Sequence, residues 1–424
     1  MESANPRISV VVPTYNNIEE LRATLESLTA QGLPADEFEV VVADDGSSDS
    51  TAKVVRSFEP RLALRYFYQE DRGPRAAAAR NAGARLAAAP VLAFIDTGTI
   101  AGPEFLQGHL EFHADPAGNG GGPQAVLGYT YGYRPFDPTP GLSEAVATLA
   151  PETVRQRYGD DPSFQDCRHP EFASVGFDVN ALPLPWIMFW TMNMSVGAEE
   201  FWRAGGFDES FQGWGAEDLD LGFRLYKHGV RFQVGHRAWA IETPHERDPA
   251  GNAESVTRNA LRLLTKLPEP ATELNWAWFA SGEWLVRDNS SALHAHYKSL
   301  LDWTARVRDL RVDGEIDAAV RDAPDGSSVA VFGCGRSLPR SLPGSTLVDF
   351  DADVLAGLAD DPSHRIHHAL GLRTVLPDQS VGLVVITSRL RGVWEQYGSQ
   401  ILAEAHRVGK SVRNWCQEPS KATV

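Results

Sequence analysis

Three carboxylates stand where strand-like runs of the sequence end. Asp96 directly follows the apolar run 91–95, and Asp44 and Asp45 follow the run 38–43. Burying a carboxylate at the end of a strand costs free energy unless the carboxylate binds a partner. In parallel sheets, the ends of the strands are also where ligands bind. We therefore expect these carboxylates to belong to a ligand site. For the acidic residues that follow the run 38–43, capping of the next helix is an alternative.

A second acidic run, Glu217 and Asp218, begins a predicted helix. A carboxylate can accept the proton of a hydroxyl group as that group attacks. The dipole at a helix N-terminus favours the ionised form of such a carboxylate. Glu217 and Asp218 are therefore candidates for a general base. Asp220 lies two residues further on another face of the helix, where solvent exposure would explain it equally well.

The elements that would carry these carboxylates alternate between strands and helices. Runs of apolar and β-branched residues predict strands at 8–15, 38–47, 62–70 and 90–96, and helical patterns separate them. This alternation predicts the α/β class, with a parallel sheet covered by helices on both faces. The carboxyl ends of the strands should then lie along one edge, which would bring residues 13–15 close to the three carboxylates.

Beyond residue 125 the pattern changes. The stretch 134–184 is rich in Pro, Asp and Gly, and its length indicates a lid or a substrate-facing excursion. Helical patterns dominate 252–315, and a second strand–turn–helix pattern follows. We predict a first α/β domain over 1–250, a helical connector over 251–320 and a smaller Rossmann-like domain over 321–424.

The composition excludes several classes of protein. The net charge of -17 over 424 residues argues against a general binder of nucleic acid or anionic membranes, which needs an excess of Lys and Arg. The cysteines Cys167, Cys334 and Cys416 lie too far apart in the sequence for a disulfide framework or a metal motif. No apolar run approaches the ~20 residues of a membrane span. These features predict a cytoplasmic protein that could still bind a phosphorylated small molecule in a local basic pocket.

Four segments in order resemble an inverting glycosyltransferase of family 2 with the GT-A fold. They are ISVVVPTYNNIEELRATLESLTAQ, VVVADDGSSDST, AAARNAGARLAAAPVLAFID and AGGFDESFQGWGAEDLDLGFRLYKHG. The last segment is most similar to the galactosyltransferase-type second half of the catalytic domain. The resemblance covers residues 7–250 and implies a nucleotide-sugar donor, most often a UDP-sugar.

The resemblance assigns donor-binding roles along the first half of this region. Asp45, with Asp44 beside it, would hydrogen-bond the nucleobase, and Asp96 would face the ribose. The remaining implied donor-binding residues wall the base or supply donors near the diphosphate: Pro13, Thr14, Tyr15, Arg80 and Asn81. Arg72 and Arg75 are compatible either with diphosphate binding or with a solvated loop.

The resemblance leaves the need for a metal open. The family carries Asp-x-Asp at this strand end, and its second carboxylate holds Mg2+ or Mn2+, whereas this chain has Asp96, Thr97 and Gly98. A divalent metal could be held by Asp96, water and His245, which matches a metal-ligand position of the galactosyltransferase type. Alternatively, arginine and backbone donors could stabilise the leaving group without metal, or the domain could be inactive.

The same resemblance makes Asp218 the catalytic base and gives Glu217 the role of orienting an acceptor hydroxyl. This intact base motif argues against an inactive domain. Trp214, flanked by glycines that indicate a mobile loop, could stack on a sugar face. Trp186, Asn193 and the nearby Trp190 could contact the acceptor, with burial in the core as their alternative.

The C-terminal region resembles half of a class I methyltransferase. Gly333-Cys334-Gly335 stands where that family has its cofactor loop, and Asp351 where an acidic residue would hold the adenosine ribose. A third glycine is missing, Gly382 replaces a usual Asp, and the sequence ends before the last strands. We therefore expect a degenerate domain with a structural or protein-binding role, with S-adenosylmethionine binding as the alternative.

Together these patterns predict an inverting glycosyltransferase that moves a sugar to a hydroxyl or thiol of a soluble acceptor, such as a peptide or a natural product. Nucleic acid and a membrane span are not expected, and a homo-oligomer is possible. The alternatives are a catalytically impaired sugar-nucleotide-binding or scaffold protein and a bifunctional glycosyl- and methyltransferase.

Overall fold

The computed structural model describes residues 5–114, 121–134, 138–159, 161–245, 248–282, 284, 290–324 and 326–417. The chain divides into two compact units. The first comprises Met1–Asn259 and Gly282–Ser291, and the second comprises Ala260–Ser281 and Ala292–Val424. Helical residues from 260 to 281 and from 292 onward therefore belong to the second unit. This differs from the separate helical connector predicted over 251–320.

The first unit is built on one mixed sheet of eight strands. In sheet order they are β3 (Leu64–Tyr68), β2 (Phe38–Asp44), β1 (Ile8–Thr14), β4 (Val91–Ile95), β7 (Asn193–Gly197), β6 (Gln124–Tyr131), β8 (Arg231–Glu242) and β5 (Thr99–Ala101). Every residue from Ile8 to Val12 and from Phe38 to Asp44 is buried, as expected where helices cover both faces of a sheet.

Six of these strands run in the same direction. β1 is parallel to β2 and β4, β2 is parallel to β3, and β6 is parallel to β8. β7 is antiparallel to both β4 and β6, so β6 has the same direction as β4. We call the edge where these six strands end the carboxyl edge. The last residues of β1, β2 and β4, which are Thr14, Asp44 and Ile95, all lie at this edge. This confirms the predicted convergence of the first strand ends.

Among the described residues, nine helices that lie wholly in the first unit accompany this sheet, and the first and longest of them has an apolar stripe that packs in the core with the strands. In the first of them, Leu21, Leu25 and Leu28 recur at helical spacing and are fully buried. These helices are α1 (Ile18–Thr29), α2 (Thr51–Phe58), α3 (Ala76–Leu86), α4 (Phe105–Ala114), α5 (Leu142–Thr148), α6 (Pro151–Tyr158), α7 (His169–Ser174), α8 (Ala198–Arg203) and α9 (Glu217–Lys227). Helix α10 (Pro249–Lys266) contributes residues to both units.

The stretch 134–184, predicted as a weakly structured excursion, contains regular elements. Helices α5, α6 and α7 lie in it, and two 3-10 turns, Val179–Ala181 and Pro185–Met188, lie in or just after it. Short helices of six to eight residues carry too few periodic positions to be recognised in a Pro-rich sequence.

The second unit has a parallel sheet of five strands in the order β11-β10-β9-β12-β13. The strands are β9 (Val329–Phe332), β10 (Thr346–Asp349), β11 (Arg365–His368), β12 (Val381–Ile386) and β13 (Gly409–Asn414). The helices are α11 (Pro270–Ser281), α12 (Ser291–Val307), α13 (Asp313–Arg321), α14 (Ala352–Ala356) and α15 (Arg391–Val408). This order confirms a second α/β domain whose strand sequence reverses between β9 and β12. Within the described ranges, no helix combines the length and apolarity that crossing a membrane requires.

Candidate functional site

The two carboxylates after β2 shape the loops of the carboxyl edge. Asp44 is buried and accepts hydrogen bonds from the backbone N–H groups of Gly46 (3.1 Å) and Ser47 (2.7 Å). The Tyr66 hydroxyl donates to its other oxygen at 2.6 Å. Burial, followed by this contact with Asp44, raises the pKa of Tyr66. Asp44 therefore holds the turn and is not available at the surface for a nucleobase.

Asp45 connects the loop after β3 to the end of β2. It accepts from the Gln69 side-chain amide at 2.5 Å and from the Arg75 backbone N–H at 2.6 Å, and the Arg75 guanidinium lies 3.5 Å away. Arg75 thus belongs to the site, whereas Arg72 pairs with Glu70 in an exposed position. Gln69 was not among the predicted residues, although its position directly after β3 at the carboxyl edge is the signal that could have identified it.

Tyr15 presents an aromatic ring beside this loop. Its side chain is among the exposed large hydrophobic groups of the chain, and its hydroxyl donates to Asp71 at 3.0 Å. That hydrogen bond and the charge of Asp71 raise the pKa of Tyr15. Pro13 is half-buried, and its carbonyl accepts from the Thr97 hydroxyl at 2.7 Å. Tyr15, Thr14 and Pro13 therefore stand next to Asp45 and Asp96, where a base-binding wall was predicted.

Arg80 on α3 bridges two carboxylates from distant parts of the sequence. Its guanidinium lies 2.8 Å from Asp96 and 3.0 Å from Glu217, and its side chain is only 6% exposed. Desolvation lowers the pKa of Arg80, but the two carboxylates outweigh it and the net shift is upward. In the ligand-free protein both terminal nitrogens of this guanidinium therefore bind carboxylates, and the predicted place of Arg80 near the diphosphate stays a prediction.

Asn81, the other residue of this predicted donor pair, is buried inside the unit. Its amide donates to the Phe207 carbonyl at 2.8 Å and to Glu209 at 2.9 Å, and its oxygen accepts from the Phe207 backbone N–H at 2.9 Å. Asn81 joins α3 to the loop before α9 and has no free donor for a ligand. These internal bonds do not support its predicted role in donor binding, which stays a prediction.

The turn after Asp96 explains the missing second carboxylate. Gly98 has a φ of 96°, a conformation that L side chains rarely adopt, and its N–H donates to the Thr24 hydroxyl at 3.0 Å. A side chain at this position would meet only ordinary contacts with Glu20, so backbone conformation and not lack of space favours glycine. Asp96 itself remains one-third exposed.

Glu217 and Asp218 begin α9, as predicted. The preceding Ala216 has a φ of 73°, a left-handed conformation that costs a non-glycine residue about 1–2 kcal/mol. Asp218 accepts from the Leu219 backbone N–H at 2.8 Å. Burial, followed by the charge of Glu217, raises the pKa of Asp218 well above its usual range. The expectation that the helix dipole keeps Asp218 readily ionised is therefore corrected.

The end of β8 is bonded to the turn after Asp96, and His245 follows three residues later. The Thr243 backbone N–H donates to the Gly98 carbonyl at 3.0 Å, and the Thr99 hydroxyl donates to Glu242 at 2.7 Å. The His245 ring nitrogen Nδ1 lies 3.6 Å from Glu242. Among the described residues, which exclude 246 and 247, no group of three or more His, Cys, Asp and Glu side chains is arranged to hold a metal ion.

Two of the predicted acceptor residues are core residues. Trp186 is 1% exposed and packs edge-on against Phe223, with ring centroids 5.0 Å apart. Asn193 is fully buried, contacts His109 at 3.0 Å and donates to the Ala238 carbonyl at 3.0 Å. Neither side chain reaches the surface, so their burial supports the predicted alternative of a core role and not the acceptor contact.

Trp214 and Asp220 also have partners within the unit. Trp214 stacks on Trp284 with ring centroids 5.9 Å apart and planes 22° from parallel. Asp220 is fully buried and accepts from the Arg224 guanidinium at 3.0 Å, so it is not a solvent-exposed residue.

The groups of the second unit that were predicted to bind a cofactor have partners within the protein. Arg389 follows β12 and contacts Asp349 through two hydrogen bonds of 3.1 Å, and both residues are fully buried. Asp349 also accepts from the Gly335 backbone N–H at 2.9 Å, and Asp351 pairs with Arg308 at 2.9 Å. The groups expected to bind a cofactor are thus engaged with the protein itself.

Comparisons with known proteins identify two matching profiles and several similar chains. The profile of glycosyl transferase family 2 matches residues 9–160, and the profile described as the N-terminal domain of galactosyltransferase matches residues 172–246. The chain is 44% identical over 416 residues to a validoxylamine A glucosyltransferase of Streptomyces hygroscopicus subsp. jinggangensis (strain 5008), with 96% of each protein covered. It is 29% identical over 260 residues to a chondroitin synthase of Escherichia coli, which covers 61% of this chain and 37% of that protein. The solved structure of S. aureus TarS is 20% identical and aligns with 66% of this chain and 43% of its own, with a TM-score of 0.44.

Proposed function

Because the chain belongs to glycosyl transferase family 2 and is a glycosyltransferase with a GT-A-like first unit, we propose that it transfers a glucosyl group from UDP-glucose to validoxylamine A with inversion. The sugar and the acceptor follow from the relative that is 44% identical over nearly the whole chain. The observation that carries the mechanism is the Arg80 bridge, because it joins Asp96 on the donor side to Glu217 beside the base.

In this proposal the nucleotide lies over the ends of β1, β2 and β3. The exposed ring of Tyr15 stacks on the uracil, and the loop fixed by Asp45 and Arg75 encloses the edge of the base. Asp96 faces the ribose. The diphosphate and the anomeric carbon then lie toward β4, next to the start of α9.

Asp218 acts as the general base in a single displacement. The acceptor hydroxyl oxygen attacks the anomeric carbon, its proton passes to the Asp218 carboxylate, and the bond between the anomeric carbon and the diphosphate oxygen breaks to release UDP. A carboxylate whose pKa lies above its usual range is a stronger base than an ordinary one. Glu217 orients the acceptor hydroxyl and maintains this raised pKa through its charge.

A divalent cation held by Asp96 and His245 is part of the proposal. The buried cation Arg80 lies near three carboxylates, those of Asp96, Glu217 and Asp218. This excess of negative charge favours binding of a further cation when an anionic diphosphate arrives. The two side chains are incomplete as a metal site, so diphosphate oxygens and water would supply the other ligands. When bound, the cation stabilises the negative charge of the leaving diphosphate.

The function is tested by UDP release and by the product. Wild type with UDP-glucose and validoxylamine A should release UDP and form a β-glucoside, whereas Asp218→Asn should bind UDP normally and release almost none. An α-glucoside would contradict inversion, and normal turnover by Asp218→Asn would contradict the base assignment. UDP binding without turnover by wild type would instead favour a sugar-nucleotide-binding protein.

The metal is tested separately by binding and by chelation. Mn2+ should bind to wild type in the presence of UDP, as followed by electron paramagnetic resonance, and His245→Ala should weaken that binding. Full turnover in excess EDTA would contradict the metal proposal and favour stabilisation by protein donors. The methyltransferase alternative predicts heat on titration with S-adenosylmethionine, and we expect none because the groups predicted to bind this cofactor have partners within the protein.

A further inference from the structure

Two aromatic side chains at the carboxyl edge have no role in the donor site. Trp190 lies between the 3-10 turn Pro185–Met188 and β7, and Tyr133 follows the end of β6 by two residues. Their ring centroids are 5.6 Å apart and their planes meet at 55°. Both side chains are partly exposed. We call this pair the aromatic platform.

The Trp190 ring is fixed from within the protein. Its indole N–H donates to the Ile187 carbonyl at 2.9 Å, and the Arg168 guanidinium lies 4.9 Å from the ring centroid. Arg168 is itself buried, pairs with Asp166 at 2.7 Å and donates to two backbone carbonyls. Because every part of this support is buried and bonded, the plane of the Trp190 ring is set before any ligand arrives. Preorganised rings of this kind lower the entropic cost of binding.

The platform adjoins the reacting groups. The Met192 carbonyl, two residues after Trp190, accepts from the Asp96 backbone N–H at 3.2 Å. Asp96 is joined through Arg80 to Glu217, which precedes Asp218. A chain of bonded groups therefore links the segment that carries Trp190 to Asp96 and, through Arg80, to the residue before the base.

The order of the strands separates the platform from the nucleotide site. Tyr15, Asp45 and Gln69 stand at the ends of β1, β2 and β3, whereas the platform stands beside β7 and β6. Asp96 at the end of β4 lies between the two groups. A transferase needs its two substrates on opposite sides of the anomeric carbon, and this arrangement provides two such sides.

We propose that Trp190 and Tyr133 form the acceptor subsite, in which the Trp190 ring stacks against the C–H face of a polyhydroxylated six-membered ring and the Tyr133 ring, tilted by 55°, contacts its edge. Aromatic faces bind such apolar ring faces, while hydroxyl groups at the rim remain free for the base. This inference rests on the proposed function and replaces Trp186 and Asn193 as acceptor residues.

The test compares acceptor kinetics with donor binding. Trp190→Leu and Tyr133→Leu should each raise the KM for validoxylamine A roughly ten-fold. The Kd for UDP and the slow hydrolysis of UDP-glucose without acceptor should stay unchanged, and Trp190→Phe should retain most of the acceptor affinity.

Trp202→Leu is the matched control. Trp202 is also partly exposed, and the Arg85 guanidinium lies 5.6 Å from the centroid of its ring. However, Trp202 lies on α8, which follows β7 at the opposite edge of the sheet. Its acceptor KM should equal that of wild type. An unchanged acceptor KM in both folded leucine variants would overturn the inference.

Failure of the proposed function has a different signature. In that case wild type releases no UDP with validoxylamine A, and the platform is judged by calorimetric binding of validoxylamine A in the presence of UDP. Binding that both leucine variants weaken supports the platform, and absence of binding to wild type overturns it.

Discussion

Replacing Arg80 tests whether one buried cation connects the two halves of the site. The change Arg80→Met keeps an unbranched side chain of similar reach but removes the charge that contacts Asp96 and Glu217. Both carboxylates then lose their cationic partner, and Asp218 loses a nearby positive charge. The variant should change both stability and the pH dependence of activity.

The stability effect follows from burial. Removing one member of a buried ion pair costs about 3–5 kcal/mol, because the remaining charge is left without compensation. The Glu217 side chain is 13% exposed and that of Asp96 is 34% exposed, so water can partly replace Arg80 at Asp96. We therefore expect a loss of about 3 kcal/mol, at the lower end of that range, measured by urea unfolding.

Arg85→Met is the control on the same helix. Arg85 pairs with Glu209 at 3.3 Å, but the two side chains are 58% and 45% exposed. Exposed pairs contribute about 0–1 kcal/mol, so this variant should unfold almost like wild type. Arg80→Lys should fall between the two, since one ammonium group retains the charge but not the planar fork.

The pH effect follows from the pKa of Asp218. Burial and Glu217 raise that pKa, whereas Arg80 lowers it. Without Arg80 the pKa rises further, so Asp218 needs a higher pH to ionise and act as the base. The acidic limb of kcat/KM against pH should therefore move to higher pH by about one unit or more.

Two results would refute this reasoning. An acidic limb at the same pH in folded Arg80→Met would mean that Asp218 does not sense Arg80 or is not the base. A stability loss no larger than that of Arg85→Met would mean that the bridge is not maintained in solution.

Three further predictions concern other positions. Because the folded-state pKa of Asp218 is raised, ionising this carboxyl in the folded protein costs free energy. The unfolding free energy of wild type should therefore fall as pH rises through that pKa. Asp218→Asn should be more stable than wild type above that pKa but not near pH ~4. Gly98→Ala should lower the unfolding free energy by about 1–2 kcal/mol because of its φ of 96°, which urea unfolding measures, and an unchanged midpoint would contradict the backbone explanation. Arg389→Met should destabilise the second unit by about 3–5 kcal/mol by leaving Asp349 buried without a partner, whereas Arg311→Met, at a largely exposed pair, should have little effect in the same denaturation assay.

Most elements of the fold and the positions of the main carboxylates could be predicted from the sequence. Alternating strand and helix patterns predicted the parallel strands that end at Asp44 and Asp96. The acidic run at Glu217 was correctly placed at the start of a helix. These features are local, because periodicity and strand ends can be identified within a dozen residues. The motifs in their order were likewise sufficient to identify the family.

Which polar groups remain available to a ligand depends on contacts between distant segments and could not be predicted from local patterns. Arg80 and Glu217 are 137 residues apart in the sequence, yet their ion pair takes up the guanidinium that the motif had assigned to a diphosphate. Asn81 and Asn193, predicted as ligand-binding residues, are likewise bonded to groups from remote segments. The pKa of Asp218 also reverses the expectation from the helix dipole, because burial and a neighbouring charge outweigh it. Burial and partner choice depend on which distant segments pack together, and no local pattern contains that information.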